Sequence, residues 1–306
     1  MSEQPNMCVD IAGIKMKNPV MVASGTFGYG PEYTELVDIN RLGAIVVKGI
    51  CLEPWDGNNV PRMVEVRGGL INAIGLQGPG VDGFVENYMP FLRQFDTPVI
   101  VNIWGRDEHE YEEVAARFDD VEGMGGLELN ISCPNVKEGG IAFGTDLKMA
   151  ADLIGRVRKR TSLPLIPKLA PNVPQVGLFA KAAEDAGADA VSLINTLPAM
   201  VIDIETRRPV LANRVGGLSG PAVHPVAVKQ VWEAAQAVSI PVIGMGGIET
   251  AEDALEFIIA GAAAVAVGTA NFTDPTTVID VIDGMASYLQ RHGFASVDEL
   301  VGSICE

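Results

Sequence analysis

Pro241-Val242-Ile243-Gly244-Met245-Gly246-Gly247 and, further on, Ala260-Gly261-Ala262-Ala263-Ala264-Val265-Ala266-Val267-Gly268-Thr269 enclose a stretch of helical periodicity that begins near Thr250. An apolar run without polar alternation is the pattern of a parallel strand covered on both faces. Gly261 falls where a helix C-terminus favours a left-handed residue. The segment therefore reads strand, glycine turn, helix, strand. Residues 257–272 carry no charge, but glycines interrupt them and they fall short of the roughly 20 residues that a membrane span needs. They read as a helix end followed by a buried strand.

The same phrases recur along the chain. Pro19-Val20-Met21-Val22, Pro98-Val99-Ile100-Val101 and Pro164-Leu165-Ile166-Pro167 each open an apolar run, and Ala186-Gly187-Ala188 leads into residues 190–194. With residues 44–47 and 127–131 this makes eight candidate strands, separated by amphipathic stretches such as 111–118, 175–186 and 226–238. Eight βα units in one chain imply an α/β protein closed as a (β/α)8 TIM barrel. A doubly wound sheet is the alternative, but no GxGxxG fingerprint follows the first strand. Residues 60–71, between the second strand and its helix, are long and polar enough for a small inserted hairpin. No linker divides the chain, so one domain is expected over residues 1–306. Pro167 is unusual inside a strand.

Bulk properties agree with that expectation and exclude several functions. The 306 residues are 48% hydrophobic and 20% charged, the composition of a soluble globular protein with a large core. Residues 1–10 lack the basic flank and apolar block of a signal peptide. Cys8, Cys51, Cys133 and Cys305 lie far apart with no CxxC pair, which fits a reducing cytoplasm better than a disulfide framework. A formal charge of -17 has the wrong sign for nonspecific attraction to nucleic acid or an anionic membrane. An anionic ligand would need positive charge concentrated at its own site.

Barrel active sites lie at the C-terminal ends of the strands, so the residue closing each run is informative. Those residues are Ser24, Lys48, Asn102, Asn130, Lys168, Asn195, then Gly246-Gly247 and Gly268-Thr269. Any one strand-end Asn or Ser can simply satisfy loop backbone; one such residue per strand is harder to explain by packing. Glycine turns after strands seven and eight form the usual barrel phosphate site, whether for a substrate or a cofactor. Lys48 and Lys168 supply local positive charge; Schiff-base and ion-pair roles are open to them too, but two lysines among many amides favour anion contacts. Cys133 follows the fourth strand on a loop containing Gly139-Gly140, and a polar barrel mouth can lower a thiol's pKa as an apolar core cannot. His109, His224 and His292 lie off the strand ends, so neither a Cys-His pair nor a metal site is expected.

At Asn130-Ile131-Ser132-Cys133-Pro134-Asn135 the chain resembles the class 1 dihydroorotate dehydrogenases, and the likeness spans nearly its whole length. Further pieces in the same order are Lys48-Gly49, Asn72-Ala73-Ile74-Gly75-Leu76-Gln77, Lys168-Leu169-Ala170-Pro171-Asn172, Asn195-Thr196 and Gly217-Leu218-Ser219-Gly220-Pro221. The resemblance implies that FMN is held by Ser24, Lys48, Gly49, Asn102, Asn130, Lys168, Ile194, Gly220, Gly246, Gly247, Gly268 and Thr269. It implies that Lys48, Asn72, Ala73, Ile74, Gly75, Leu76, Asn130, Asn195 and Thr196 hold the pyrimidine. Cys133 would remove the C5 proton of dihydroorotate while the C6 hydride passes to the flavin, and Lys168 would stabilise charge on the reduced ring.

The Lys48–Pro54 stretch looks like the NAD-linked B branch, which works with a second subunit carrying FAD and an iron-sulfur cluster, around a homodimer core in a heterotetramer. Four scattered cysteines cannot ligate such a cluster, and no NAD fingerprint is present. Gly78 stands where the family commonly has Asn, and Trp104 stands where a small residue is common and would narrow the site mouth. The competing expectations are a dihydropyrimidine dehydrogenase domain, a flavin-free barrel with Lys168 as an amine catalyst, and a non-enzymatic scaffold.

Overall fold

In a computed structural model, which describes residues 5–132 and 140–305, all eight expected strands close into one parallel barrel. In chain order the strands are Val20–Val22, Ala44–Ile50, Val99–Ile103, Met124–Asn130, Leu165–Lys168, Val191–Leu193, Val242–Met245 and Ala264–Val267. The last pairs with the first, Val265 opposite Val20. The repeated prolines have a shared job. Pro19, Pro98, Pro164 and Pro241 each accept through the carbonyl from a neighbouring strand, at 2.8–3.0 Å from Val265, Ile45, Leu127 and Val191. At a strand's first position the missing N–H costs nothing.

Alternation along the strands sorts the core into two layers. Val20, Val22, Val99, Val101, Leu127 and Leu129 point outward into the shell between sheet and helices. Met21, Ala44, Val46, Ile100, Ile166 and Ile243 point inward and fill the barrel's lower half. An N-terminal hairpin, Val9–Ile11 with Ile14–Met16, packs Ile11, Ile14 and Met16 against that inner layer. Periodicity in the sequence did not reveal this plug.

Helix ends follow the sequence signals. Thr250 caps Ala251–Ala260 in a reciprocal capping box with Asp253, and Gly261 ends it at φ 117. Residues 257–272 are thus a helix end, a buried strand over Ala264–Val267 and the start of a short helix at Ala270, and among the described residues no helix is long and apolar enough to cross a membrane.

The inserted hairpin exists but belongs to something larger. Met63–Val66 and Gly69–Asn72 pair antiparallel, and Gly69–Asn72 also pairs with Gly216–Ser219, which pairs with Leu197–Ala199. The result is a four-stranded sheet built by loops after the second and sixth barrel strands. Glycine permits its close approaches: a Cβ on Gly69 would meet the Ser219 carbonyl oxygen at 2.0 Å.

Pro167 is tolerated for a local reason. Leu165 accepts from Asp189 and Leu169 donates to Ser192, so odd-numbered residues of this strand face the sixth strand. The missing N–H of Pro167 lies on that side, where paired register is confined to Ser192 and Lys168. On the other side Pro167 stays in register with Leu129.

Candidate active site

Inward parity carries each strand from apolar residues low in the barrel to polar ones at its C-terminal mouth. Ala44 and Val46 are followed by Lys48, Ile100 by Asn102, Ile166 by Lys168, and Gly126 by Glu128 and Asn130. These ends open into a cavity of about 380 Å³. Among the described residues its wall includes Lys48, Arg62 and Lys168 and no carboxylate, in a chain of net charge -17. Local charge therefore opposes the overall sign, as an anion site requires.

Ser24, Lys48, Gly49, Asn102, Asn130 and Lys168 all line this cavity, as do Ile194, Gly220, Gly246, Gly247, Gly268 and Thr269. Asn72, Ile74, Gly75, Leu76, Asn195 and Thr196 line it as well. Ala73 is the exception. Its side chain is fully buried with Ile71 and Leu211 beneath the four-stranded sheet, because alternation along the extended chain turns it away from the mouth. Cys133 lies outside the described residues. Arg62, Ser219 and Phe272 also line the cavity and had no strand-end signal to mark them, since they come from the hairpin, the added sheet and the helix after the eighth strand.

The polar groups interlock. Lys168 Nζ donates to Ser24 Oγ at 3.1 Å and stands 3.5 Å from Glu128 Oε2, with both side chains almost wholly buried. Asn102 Nδ2 donates to that same carboxylate at 2.6 Å, and Ser192 Oγ donates to its other oxygen at 2.8 Å. Asn130 and Asn195 continue the chain, and Tyr111 Oη fixes the Asn130 carbonyl at 2.7 Å. Burial pushes the Lys48 ammonium below the usual lysine range; nearby Arg62 adds to this and Glu32 partly offsets it. Cys51 is a contrasting case: burial pushes its thiol up to about 12, which leaves it a poor nucleophile near neutrality.

Gly75 (φ 78) and Leu76 (φ 59) are consecutive left-handed residues that turn the loop against the cavity. Such a conformation in a leucine is strained and persists only where its surroundings dictate it. Gly78 exchanges two 2.9 Å hydrogen bonds with Trp55, and a Cβ there would come within 3.0 Å of the Gly49 carbonyl. Trp104 does not narrow the mouth. It is 1% exposed, edge-on to Trp55, and lies behind Gly49, whose missing Cβ leaves room for both the indole and Asn102.

At the turns after strands seven and eight the backbone itself faces the cavity. Gly246 (φ 136) and Gly247 (φ 69) adopt conformations closed to most side chains, and His224 Nδ1 donates to the Gly246 carbonyl at 3.1 Å. Thr269 Oγ1 donates to Ser219 Oγ at 2.8 Å across the same end. The glycine backbone and the two hydroxyls are a donor set suited to a phosphate.

Fold and site together define a (β/α)8-barrel enzyme whose strand-end cavity is lined by three cations and by glycine turns after the seventh and eighth strands. Comparison with known proteins makes this specific: the sequence profile of dihydroorotate dehydrogenase matches residues 6–289. The chain belongs to the dihydroorotate dehydrogenase family, and is an oxidoreductase. A relative from Geotalea uraniireducens (strain Rf4), named dihydroorotate dehydrogenase B (NAD(+)), catalytic subunit, is 55% identical over 301 residues, 98% of this chain and 99% of the relative. Relatives of the same name from Desulforamulus reducens and Lachnoclostridium phytofermentans are each 55% identical, covering 97% and 98% of this chain and 98% and 99% of their own lengths.

Proposed function

We propose that this chain, as one barrel domain, oxidises (S)-dihydroorotate to orotate in pyrimidine biosynthesis, with FMN as its resident cofactor. The observation that carries the reading is the cavity itself: three cations and no carboxylate in its described wall, glycine turns at strands seven and eight, and the amides of Asn72, Asn102, Asn130 and Asn195. FMN bound there supplies an acceptor for the C6 hydride. Gly220, Gly246, Gly247, Gly268 and Thr269 would hold its phosphate, while Ser24, Lys48, Gly49, Asn102, Asn130, Lys168 and Ile194 would hold the rest of it. Lys48, Asn130, Asn195, Thr196 and the loop from Asn72 to Leu76 orient the pyrimidine and its carboxylate. Cys133 takes the C5 proton, so that the proton and the hydride leave from adjacent carbons. A partner subunit with FAD and an iron-sulfur cluster would carry the electrons on to NAD, in a cytoplasmic heterotetramer built on a homodimer of this chain.

The test is an anaerobic absorbance spectrum of the purified chain before and after dihydroorotate. Bleaching of the visible flavin band by dihydroorotate and not by dihydrouracil is expected. A yellow protein bleached only by dihydrouracil would reassign the substrate, and a colourless protein that cannot take up FMN would sink the cofactor assignment.

Two further outcomes are expected. A Cβ on Gly247 would fall 2.8 Å from the Gly220 carbonyl oxygen and from His224 Cβ, at a backbone angle few side chains adopt. Gly247→Ala should therefore cost about 1–3 kcal/mol of local strain and release FMN during gel filtration while circular dichroism stays native. Retention of one FMN per chain would remove the turn from the phosphate site.

The second concerns pH. Only charged Lys48 attracts the substrate carboxylate, and its lowered pKa means that charge is lost below the ordinary lysine range of about 10.4 as pH rises. KM for dihydroorotate should climb on the alkaline side, and Lys48→Met should raise KM and flatten that climb. An identical alkaline climb in the variant would assign it to another group.

A further inference from the structure

Glu128 is a carboxylate placed inside the barrel directly beneath the site. It is 2% exposed, sits opposite Asn102 on one neighbouring strand and Ile166 on the other, and does not line the cavity. A buried carboxylate is costly unless it is paired and hydrogen-bonded, and the groups that meet these needs here are Lys168, Asn102 and Ser192. Two of those three are cavity-lining residues.

A carboxylate only accepts hydrogen bonds, so Asn102 must present its amide nitrogen to Glu128. Its oxygen then faces Asn130, whose Nδ2 donates at 3.3 Å. The Asn130 oxygen in turn accepts from Asn195 Nδ2 at 3.3 Å, and the Asn195 oxygen accepts from the Thr196 N–H at 2.8 Å. Glu128 thus sets the direction of Asn102 and, through it, of Asn130, while Asn195 is held the same way round by the Thr196 N–H and by its 2.9 Å donation to Ser132 Oγ. The Glu128 carboxylate also lies within 4 Å of the lysine whose field reaches the cavity.

We propose that Glu128 is a positioning residue of this active site, which without touching cofactor or substrate offsets the charge of Lys168 and fixes the donor direction of Asn102 and Asn130. The inference rests on FMN being the resident cofactor. Its consequence is electrical. In a water-poor site an unopposed lysine beside the flavin favours the reduced, more negative ring, and a carboxylate behind that lysine weakens the preference. Glu128 therefore holds the midpoint potential of the bound cofactor below the value that Lys168 alone would impose.

The experiment is an anaerobic redox titration of FMN bound to the wild-type chain and to Glu128→Gln, at pH 7 against a reference dye. A glutamine oxygen still accepts from Asn102, so the amide chain is kept while the charge is removed. The midpoint should rise by the equivalent of at least a ten-fold shift toward the reduced form, about 30 mV for a two-electron couple, and Glu128→Asp should bring it back toward wild type. Should Glu128→Gln fail to fold, Ser192→Ala keeps the carboxylate and removes one donor that draws on its charge; its midpoint should fall. A wild-type midpoint in every folded variant would overturn the proposal and leave the FMN reading intact. A wild-type chain that binds no FMN would overturn both.

Discussion

Cys133→Ser should keep its FMN and lose rapid flavin reduction by dihydroorotate at neutral pH. A positioned general base contributes about 10²–10⁴-fold to proton transfer, and a serine hydroxyl does not ionise in the working range, so stopped-flow reduction should slow by about that factor. Cofactor content should be unchanged, because the FMN contacts proposed above do not include Cys133. With the thiol present the rate should rise with pH, as a base that must lose its own proton requires, and that rise should vanish in the serine variant. Reduction at the wild-type rate by Cys133→Ser would remove Cys133 from the role of base and send the search to other groups of the mouth.

Lys168→Met should act on stability and on redox behaviour together. The ion pair of Lys168 and Glu128 is almost wholly buried, and deleting one member of such a pair typically costs about 3–5 kcal/mol, because the other charge is stranded. Urea unfolding of the FMN-free protein should show a loss of that size, well above the effect of an ordinary surface change. Replacing both members by apolar residues, Lys168→Met with Glu128→Leu, should recover much of it, since no charge then remains to be buried. A single variant as stable as wild type would mean that water or another cation reaches Glu128. In the loaded protein Lys168→Met should also slow flavin reduction, the loss of a cation being the reverse of the change expected from Glu128→Gln.

Both predictions depend on residues of unequal legibility. Lys168 and Cys133 were visible in the sequence, one as the last residue of an apolar run and the other in the family-like phrase from Asn130 to Asn135. Glu128 was not. Leu127, Glu128 and Leu129 read as one buried strand, and a charge in its middle had no assigned face until Asn130 was placed inside the barrel. Parity then puts Glu128 on the same face, two residues lower. That signal was present but could be used only once the barrel's interior was known.

The sequence by itself determined the closed barrel, the eight strand positions and the polar strand-end residues of the cavity wall, because these follow from local rules, while Gly49, Ile194, Thr196, Gly220 and the loop from Asn72 to Leu76 were marked by the family resemblance alone. Apolar runs opened by proline, glycines at helix ends, and one polar residue at each strand end need only a few neighbouring positions to be read. Only the tertiary structure decided what depends on distant segments meeting. Residues 69–72 pair with residues 216–219, the N-terminal hairpin plugs the barrel, Arg62 reaches the cavity, Ala73 and Trp104 are turned away from it, and Glu128 meets Lys168 from the adjacent strand. The physical reason is that strand periodicity fixes which way a side chain points relative to its own strand, while partner and depth are set by register and closure between strands that lie far apart in the chain.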